Sequence, residues 1–378
     1  MPSLPVKWFS SSMAGAPILN GTAGALIALL DACLVDGFNL RTLSSLVVAG
    51  NIATATSAAH GLILDQVVLI TGATPSALNG EWRVAYVDTN TFTFATTGIT
   101  DGTATGTIAV KAASAGWQKA FSGANKAAYR SADLAGTRLY LRLDDSSAQI
   151  AAAVGYEEMS NVDTGSGLFP TSAQSATGIT WRKSDATSSA ARRWLAFSDS
   201  RFLHLFIEWM PGSYGGQFSG YAFGDLISWK EGDAYGCLIC GHSVPTPSYP
   251  GNANDYVNLT GTVGKYLARS FTQLGSAQMF AQNGMITNML GYGGLTYPNG
   301  PDNSMILNEI ISINELTATG HMRGLMPGLL QPIQNLPLTH GDTVPNPTGL
   351  AGRTAMMLGL AFNAASARGA IDMTGPWR

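Results

Sequence analysis

Short β segments separated by turn residues restrict the folds that this chain can adopt. Between residues 44 and 111 such segments recur about every 8–12 residues, and Val, Ile, Thr and aromatic residues dominate them. Turn pairs such as Gly50-Asn51 and Asn79-Gly80 separate neighbouring segments. The segments are SLVVAG, NIATATSA, QVVLITGA, EWRVAYVDT, TFTFATT and GTIAVKA. This spacing predicts a small, self-contained all-β sandwich or barrel at 44–111, inserted into a main body.

An apolar stripe within residues 20–38 predicts the clearest helix of the chain. The stripe consists of Leu26, Leu29, Leu30, Cys33 and Leu34, which follow the i, i+3, i+4 spacing of one helix face. Asn20 or Thr22 is expected to cap the first N–H groups, and Gly37 to end the helix. Because Cys33 lies in the stripe, it is predicted to be a buried structural thiol.

Residues 112–378 are predicted to be mostly strand, joined by long Gly- and Ser-rich loops. Apolar runs such as FLHLFIEW and YGCLICGH have the character of buried strands. Residues 264–290 leave room for a short helix, and 303–316 are compatible with either a strand or a helix. The predicted fold class is therefore mostly β. A β-sandwich or barrel-like body, built from 1–43 with its single N-terminal helix and from 112–378, carries the inserted all-β module.

The composition is poor in charge, which narrows the classes of partner. Charged residues make up 12% of the chain, against ~25% in ordinary globular proteins, and Gly accounts for 44 of 378 residues. The net charge of −3 leaves no basic excess for binding phosphates, so we expect no nucleic-acid partner. Because desolvating a charge is costly, a surface poor in charge is suited to extensive contacts with copies of the same chain.

Targeting and membrane signals are not expected in this sequence. Its first residues contain no basic segment followed by a long apolar run, so no secretory signal is predicted. The most apolar stretch, 23–35, is interrupted by Asp31 and is far shorter than the ~20 residues that a bilayer requires. We expect a soluble protein, made in a cytoplasm, with no membrane insertion.

Residues 60–94 resemble a known small module. The matching features are His60-Gly61, the Gly72-Ala73 turn, Leu78-Asn79-Gly80 and the closing Asn90-Thr91-Phe92-Thr93-Phe94. They resemble a β module of bacteriophage tail proteins that is named after its similarity to the first catalytic-cysteine half-domain of ubiquitin-activating enzyme. The resemblance implies a fold and not ubiquitin chemistry, since the module contains no cysteine.

The flanking chain resembles a family of phage and prophage virion proteins that are associated with the tail. The matching segments are WFSSSMAGAPILNGTAGALIALLDACLVDGF, GWQKAFSGANKAAYRS (116–131), GTRLYLRLDD (136–145), VGYEEMSNVDTG (154–165), RGLMPGLLQPIQNLPLTHGD (323–342) and IDMTGPWR (371–378). Together they cover most of the chain. The resemblance implies a location in the phage tail rather than a catalytic mechanism.

Cys237-Leu-Ile-Cys240, followed by His242, is the only metal-like or redox-like spacing. A structural zinc site needs four ligands, and the sequence offers no second pair. On a strand, residues three apart point to opposite faces, so the two thiols would not share one ion. We therefore predict core packing for both cysteines, and neither a metal nor a cofactor.

Two further segments resemble known functional motifs but lack residues that those motifs require. Gly241-His242-Ser243-Val244-Pro245 differs from the nucleophile elbow of serine hydrolases, because Pro245 replaces the second glycine. Gly264-Lys265 lacks both the earlier glycine and the following Ser or Thr of a phosphate-binding loop. Neither segment therefore predicts catalysis.

Two acidic doublets, Asp144-Asp145 and Glu157-Glu158, are the candidate carboxylates for a polysaccharide-cleaving site. A glycosidase needs two carboxylates that face one sugar. Adjacent strand residues face opposite sides, so a doublet is not itself such a pair, although one carboxylate from each doublet can meet the other across strands. Turn and edge carboxylates are the expected alternative.

Aromatic residues fall into two groups. Trp181, Trp194, Trp209 and Trp229 lie in or beside predicted strands, where packing in the core explains them. Six tyrosines lie in Gly- and Pro-rich loops and form a candidate contact surface for sugars or a neighbouring subunit. They are Tyr214, Tyr221, Tyr249, Tyr256, Tyr292 and Tyr297. Packing within the loops is the alternative for each of them.

These observations predict a non-enzymatic bacteriophage virion protein of the tail tip or baseplate. It is expected to assemble with closed threefold or sixfold symmetry, and its partners would be copies of itself and other tail proteins. Three alternatives remain open at this point. They are a receptor- or glycan-binding tail fibre subunit that uses loops between 211 and 300, a tail-borne polysaccharide hydrolase and a head-decoration protein.

Overall fold

The computed structural model describes most of the chain. The described residues are 4–212, 216–252, 256, 264–283, 295–308, 311–315, 321–334, 336–362 and 365–378. Strands account for 45% of the residues and helix for 5%, which confirms the mostly-β class with one N-terminal helix. Among the described residues, none of the helical segments has the length and hydropathy needed to cross a membrane.

The N-terminal segment contributes one strand and the helix. These are β1 (Lys7–Ser10) and α1 (Ala25–Leu30), which continues as π-helical turns over Asp31–Asp36. Gly37 ends the helix, as predicted, with a φ of 73°. A Cβ at Gly37 would lie 2.2 Å from the carbonyl oxygen of Ala112, so only glycine fits there. Cys33 is buried in the core, as predicted, and burial raises the pKa of its thiol.

The start of the helix is not capped by Asn20 or Thr22, and that prediction is wrong. Instead, Oδ2 of Asp145 accepts hydrogen bonds from the backbone N–H groups of Leu26 (2.8 Å) and Ile27 (3.3 Å). A carboxylate near the first N–H groups of a helix also interacts favourably with the helix dipole. The cap therefore comes from a residue far along the chain rather than from the preceding turn.

Residues 38–112 form the all-β module as two antiparallel sheets. Their strands are β2 (Phe38–Thr42), β3 (Ser45–Ala49), β4 (Ile52–Thr56), β5 (Val67–Thr71), β6 (Gly80–Arg83), β7 (Tyr86–Val87), β8 (Thr91–Ala95), β9 (Gly102–Thr103) and β10 (Ala109–Ala112). A 3-10 turn spans Ser76–Leu78. The strand orders are β2-β10-β5-β6 and β7-β8-β4-β3-β9. The first strand begins before the predicted boundary at residue 44.

The module encloses a core that is separate from the core of the body. Alternate residues of its strands, such as Leu46, Val48, Phe92 and Phe94, are buried together. Residues one apart on a strand face opposite sides, so this alternation leaves the other face of each strand toward solvent or the body. The ring of Trp82 stacks on Phe94, with 4.9 Å between the ring centroids.

Polar side chains of the module bind backbone and side-chain groups near both ends of the sequence. Glu81 forms an ion pair with the buried Lys7, with 3.0 Å between Nζ and Oε2. The guanidinium of Arg83 donates hydrogen bonds to the carbonyl oxygens of Val6 (3.1 Å) and Thr374 (3.2 Å). These contacts hold the module against the segments near both ends of the body, around β1 and after its last strand.

An antiparallel sheet follows the module and packs against the helix. Its strands are β11 (Trp117–Gly123), β12 (Lys126–Ser131), β13 (Tyr140–Asp144), β14 (Ile150–Tyr156) and β17 (Ile179–Arg182), paired in that order. The hairpin between β14 and β17 consists of β15 (Glu158–Asn161) and β16 (Thr164–Ser166). Tyr129, on β12, donates a hydrogen bond to Oδ1 of Asp31 in the helix at 2.7 Å. This contact joins the sheet to the helix.

A second, larger sheet faces the first. Its strands include β18 (Arg193–Ser198), β19 (Phe202–Glu208), β20 (Ser219–Asp225), β21 (Ile227–Ser228), β22 (Cys237–Cys240), β23 (Lys265–Leu267) and β24 (Ala277–Asn283). After β25 (Leu307–Asn308), it is completed by β26 (Ile311–Glu315) and β27 (His321–Leu325), in the order β1-β18-β19-β20-β22-β23-β24-β26-β27-β21. Trp181 stacks on Tyr221 across the two sheets, with 5.5 Å between ring centroids. The two sheets therefore form the predicted β-sandwich of the body.

A third sheet with its own small core lies at the C-terminal end of the sequence. It pairs β25 with β28 (Leu329–Pro332), β31 (Ala365–Asp372), β30 (Thr354–Phe362) and β29 (Thr343–Pro345), in that order. The core of this sheet includes Leu307, Leu330, Leu336, Met357 and Ala370.

Two predictions of secondary structure are resolved by strand pairing. The described part of 264–290, which is 264–283, contains β23 and β24 and no helix, so the predicted short helix is wrong there. The described part of 303–316 contains β25 and β26, which selects the strand alternative. Strands this short are fixed by hydrogen bonds to neighbouring strands and not by local propensity, which explains why the sequence alone left them open.

Candidate functional site

Two of the six candidate tyrosines lie in the core of the body. Tyr221 lies on β20, and its hydroxyl accepts a hydrogen bond from the N–H of Arg182 (3.1 Å) and donates one to the carbonyl oxygen of the same residue (2.9 Å). Tyr256 is 1% exposed, and its hydroxyl lies 2.6 Å from Nδ1 of His204. The prediction that these two residues form a contact surface is wrong, because their rings and hydroxyls are occupied within the chain.

The other four candidates divide between the surface and the undescribed residues. Tyr297 is 38% exposed and Tyr249 is half-buried. Tyr214 and Tyr292 lie outside the described residues. Of the described candidates, Tyr297 thus has the largest area exposed for contact with another molecule.

Two features fix Tyr256 in the core: a hydrogen bond to His204 and the space left by the absent side chain of Gly220. Its ring packs against Gly220, where a Cβ would lie 2.5 Å from the ring carbon Cγ. Nε2 of His204 lies 2.7 Å from the carbonyl oxygen of Pro327, which only accepts, so Nε2 carries the proton. Nδ1 of the neutral ring is then an acceptor, and the hydroxyl of Tyr256 donates to it. Burial holds the imidazole neutral by lowering the pKa of His204 to about 3.

Replacing Tyr256 by Phe is expected to lower the free energy of unfolding by about 1–3 kcal/mol, because Nδ1 of His204 loses its donor in a buried site. The exposed Tyr297→Phe is the matched control, and its change should stay within about 0.5 kcal/mol. Urea denaturation of both variants measures the difference. Equal stability of the two variants would contradict the structural role of the Tyr256 hydroxyl.

The first acidic doublet is engaged in ion pairs. Asp144 lies beside Arg142 (3.4 Å) and Lys126 (3.8 Å), and it remains partly exposed. Asp145 has no exposed area and forms an ion pair with the equally buried Lys183, in addition to capping the helix. Burial raises the pKa of Asp145. The carboxylate of Asp145 is thus occupied by Lys183 and by the first N–H groups of the helix, which makes it a structural residue.

The second doublet faces a different element. Both carboxylate oxygens of Glu157 accept hydrogen bonds of 2.5 Å from the guanidinium of Arg269, in the bidentate arrangement typical of Arg–carboxylate pairs. Glu158 begins the hairpin strand β15 and is exposed. A glycosidase requires one carboxylate free to hold a proton and another free to attack. Glu157 is occupied by Arg269, so this doublet offers no such pair.

The cysteine pair lies on a strand, as the sequence reasoning assumed. Cys237 and Cys240 are the two ends of β22, and both are buried. Burial raises the pKa of the Cys237 thiol well above its usual range, which disfavours the thiolate that binds metals. Among the described residues, no group of three or more His, Cys, Asp or Glu side chains is placed to hold a metal ion.

One tryptophan departs from its predicted position in the core. Trp181, Trp194 and Trp209 are fully buried, as predicted, whereas 54% of Trp229 is exposed. Trp229 follows the short edge strand β21, and its N–H donates to the carbonyl oxygen of Arg323 on β27 at 2.9 Å. Because β21 lies at the edge of the sheet, this backbone hydrogen bond leaves the indole of Trp229 on the surface.

Trp229 forms a wall of an open groove of about 430 Å³. The groove, called here the aromatic groove, is lined by Trp229, Lys230, Phe271, Glu315, His321, Met322 and Arg323. Trp229, Phe271 and Met322 are three of the exposed large apolar side chains of the chain. The rings of Phe271 and His321 meet edge to face, with 4.6 Å between their centroids. The combination of exposed rings and polar groups is typical of ligand sites.

The polar side of the groove is a buried cluster of charges. The guanidinium of Arg323 donates from Nε and Nη2 to both oxygens of Asp233, each at 2.7 Å, and from Nη1 to Oε1 of Glu315. Opposite charges on both sides hold the pKa of Arg323 above its usual value despite burial. Within the described part of the chain, Oε2 of Glu315 accepts no hydrogen bond although it is buried.

Three strands and one loop bring these residues together. Glu315 is the last residue of β26, and it lies opposite His321, the first residue of β27. The loop between β23 and β24 carries Phe271, and β21 places Trp229 beside β27. Sequence reasoning missed this site because its residues are spread from 229 to 323. The one local signal in the sequence was the position of Trp229. It follows a short predicted strand and precedes Lys230, Glu231 and Gly232.

Two comparisons with known proteins gave no match. No protein-family model matches the chain, and no curated protein matches it. The functional conclusion therefore depends on the residues, the fold and the aromatic groove.

Proposed function

We propose that the chain is a bacteriophage virion structural protein, a component of the tail tip or baseplate that assembles with copies of itself. The observation that carries this proposal is the all-β module with its own core, in the part of the sequence that resembles modules of phage tail proteins. Side chains such as Ile52 and Tyr86 are more than half exposed on the module and are available to a neighbouring subunit. The low charge of the chain is favourable for such contacts.

The ion pairs of the acidic doublets support a structural function over the hydrolase alternative. Asp145 and Glu157, one residue from each doublet, have cationic partners within the fold. A catalytic acid and nucleophile need carboxylates that are free to change their protonation and bonding. We therefore propose no hydrolase activity.

Quantitative mass spectrometry of density-purified particles, produced from the strain that encodes the chain, tests the proposal. We expect a few copies per particle, in a multiple of three or six relative to the major tail protein. Hundreds of copies would instead indicate a location in the head or the tail tube, and a location in the head would agree with the head-decoration alternative. Its absence from particles would overturn the virion proposal.

A second function, binding to the host surface as a receptor- or glycan-binding tail subunit, is favoured by the aromatic groove. Trp229 and Phe271 lie between residues 211 and 300, the segment whose aromatic loops first suggested this function. Exposed aromatic rings beside a polar cluster provide both contact area and orientation for a ligand. The groove, rather than the buried Tyr221 and Tyr256, provides the candidate contact surface.

A further inference from the structure

We propose that the aromatic groove binds a neutral saccharide, whose apolar ring face lies on Trp229 and whose hydroxyl supplies the hydrogen bond that Glu315 lacks. This inference names the ligand class of the second function proposed above and rests on it. It does not depend on where in a virion the protein lies, so the two are tested separately.

The apolar contact comes from rings that are already exposed. Trp229 is 54% and Phe271 is 39% exposed, so a ligand that covers them removes a large aromatic area from water. Phe271 is held against His321 at 4.6 Å, which limits the conformational freedom lost on binding. The C–H face of a pyranose ring is flat and apolar and fits such a surface.

The polar contact comes from the incomplete hydrogen bonding of Glu315. Its Oε1 is bound by Arg323, whereas its buried Oε2 accepts no hydrogen bond within the described residues. A buried acceptor without a donor is costly, so a donor that reaches it, directly or through a bound water, is stabilising. A carboxylate oxygen only accepts, so the ligand must carry donors such as hydroxyl groups.

The charges around the groove favour a neutral ligand. The negative charges of Asp233 and Glu315 are balanced by Arg323, which binds both, and by Lys230 on the lining. A cationic ligand would approach Arg323 and Lys230, and an anionic ligand would approach the unpartnered oxygen of Glu315. Repulsion between like charges would disfavour both of these ligands. A saccharide has no net charge, and it carries hydroxyl donors and an apolar face.

Calorimetric titration of the full chain with oligosaccharides of glucose, galactose and N-acetylglucosamine tests this inference. We expect at least one of these neutral probes to bind with a Kd of about 1 mM or lower. Trp229→Ala should weaken that binding about 10-fold or more, and Phe271→Ala should weaken it in the same direction. Both residues are exposed, so neither variant is expected to impair folding.

Tyr86→Ala is the matched control, since Tyr86 is 56% exposed but lies on the module, away from the groove. Its Kd should equal that of the unaltered chain. The inference is overturned if no neutral probe binds at about 10 mM, if choline or a sulfated oligosaccharide binds more tightly than every neutral probe, or if Trp229→Ala binds as well as Tyr86→Ala. Saccharide binding by a protein that is absent from virions would leave this inference intact and refute the virion proposal alone.

Discussion

Replacing Asp145 by Ala is expected to lower the free energy of unfolding by about 3–5 kcal/mol, the usual cost of leaving a buried charge without its partner. Asp145 and Lys183 have no exposed area, and the ammonium of Lys183 also donates to the carbonyl oxygen of Thr22 at 2.6 Å. The same carboxylate caps the helix at Leu26. One substitution therefore removes an ion pair and the hydrogen bonds that hold the first N–H groups of the helix to the residue after β13.

The neighbouring Asp144→Ala provides the control. Asp144 is partly exposed beside Arg142 and Lys126, and exposed ion pairs contribute about 1 kcal/mol or less. Guanidinium denaturation of both variants gives the comparison. A further variant, Lys183→Met combined with Asp145→Leu, should recover part of the loss, since removing both charges is less costly than removing one. Similar losses for Asp144→Ala and Asp145→Ala would refute the assignment of Asp145 as a buried structural charge.

Acidification from pH 7 to pH 5 is expected to remove about 2 kcal/mol of stability for each of two buried histidines. Burial lowers the pKa of His204 to about 3 and that of His242 to about 4, from an ordinary value of 6.5. Between these values the unfolded chain binds protons that the folded chain does not, so stability is fully present above pH 6.5 and falls as the pH decreases toward 4. The change corresponds to about 1.4 kcal/mol per pH unit for each histidine.

Carboxyl groups also titrate in this range, so the test compares variants and not the unaltered chain alone. Nδ1 of His242 donates to the carbonyl oxygen of Asn252 at 2.7 Å, and Nε2 has no partner among the described residues. His242→Gln keeps a donor but does not titrate. Its loss of stability relative to the unaltered chain should be smaller at pH 5 than at pH 7 by about 2 kcal/mol. A difference that is independent of pH would contradict the lowered pKa of His242.

The strands and the buried thiols were predictable from local sequence, whereas the sites were not. Alternating Thr and Phe residues in β8 (Thr91–Ala95) require one buried face, and the structure buries Phe92 and Phe94. Likewise the apolar stripe around Cys33 predicts burial whatever the helix packs against. Both inferences depend on residues that are close in sequence.

Contacts between distant residues explain the predictions that failed. The preceding turn is the usual source of a helix cap and predicts Asn20 or Thr22, but the donor N–H groups are bound by Asp145. The Gly- and Pro-rich sequence around Tyr256 predicts a loop surface, yet the missing Cβ of Gly220 makes room for its ring in the core. The strand that precedes Trp229 predicts a position in the core. Its exposure depends on the pairing of β21 with β27, which no local pattern encodes.

The module enters and leaves the body through neighbouring strands, and this has a consequence for how such genes change. β2 and β10 are hydrogen-bonded partners, and Phe38 lies opposite Ala112 in their register. Recombination between these two points can therefore exchange one cassette for another of different length without separating any strands of the body. The replacement must keep one antiparallel strand pair and supply counterparts of Glu81 and Arg83. Related chains with divergent inserts and a common body are the expected outcome of that geometry.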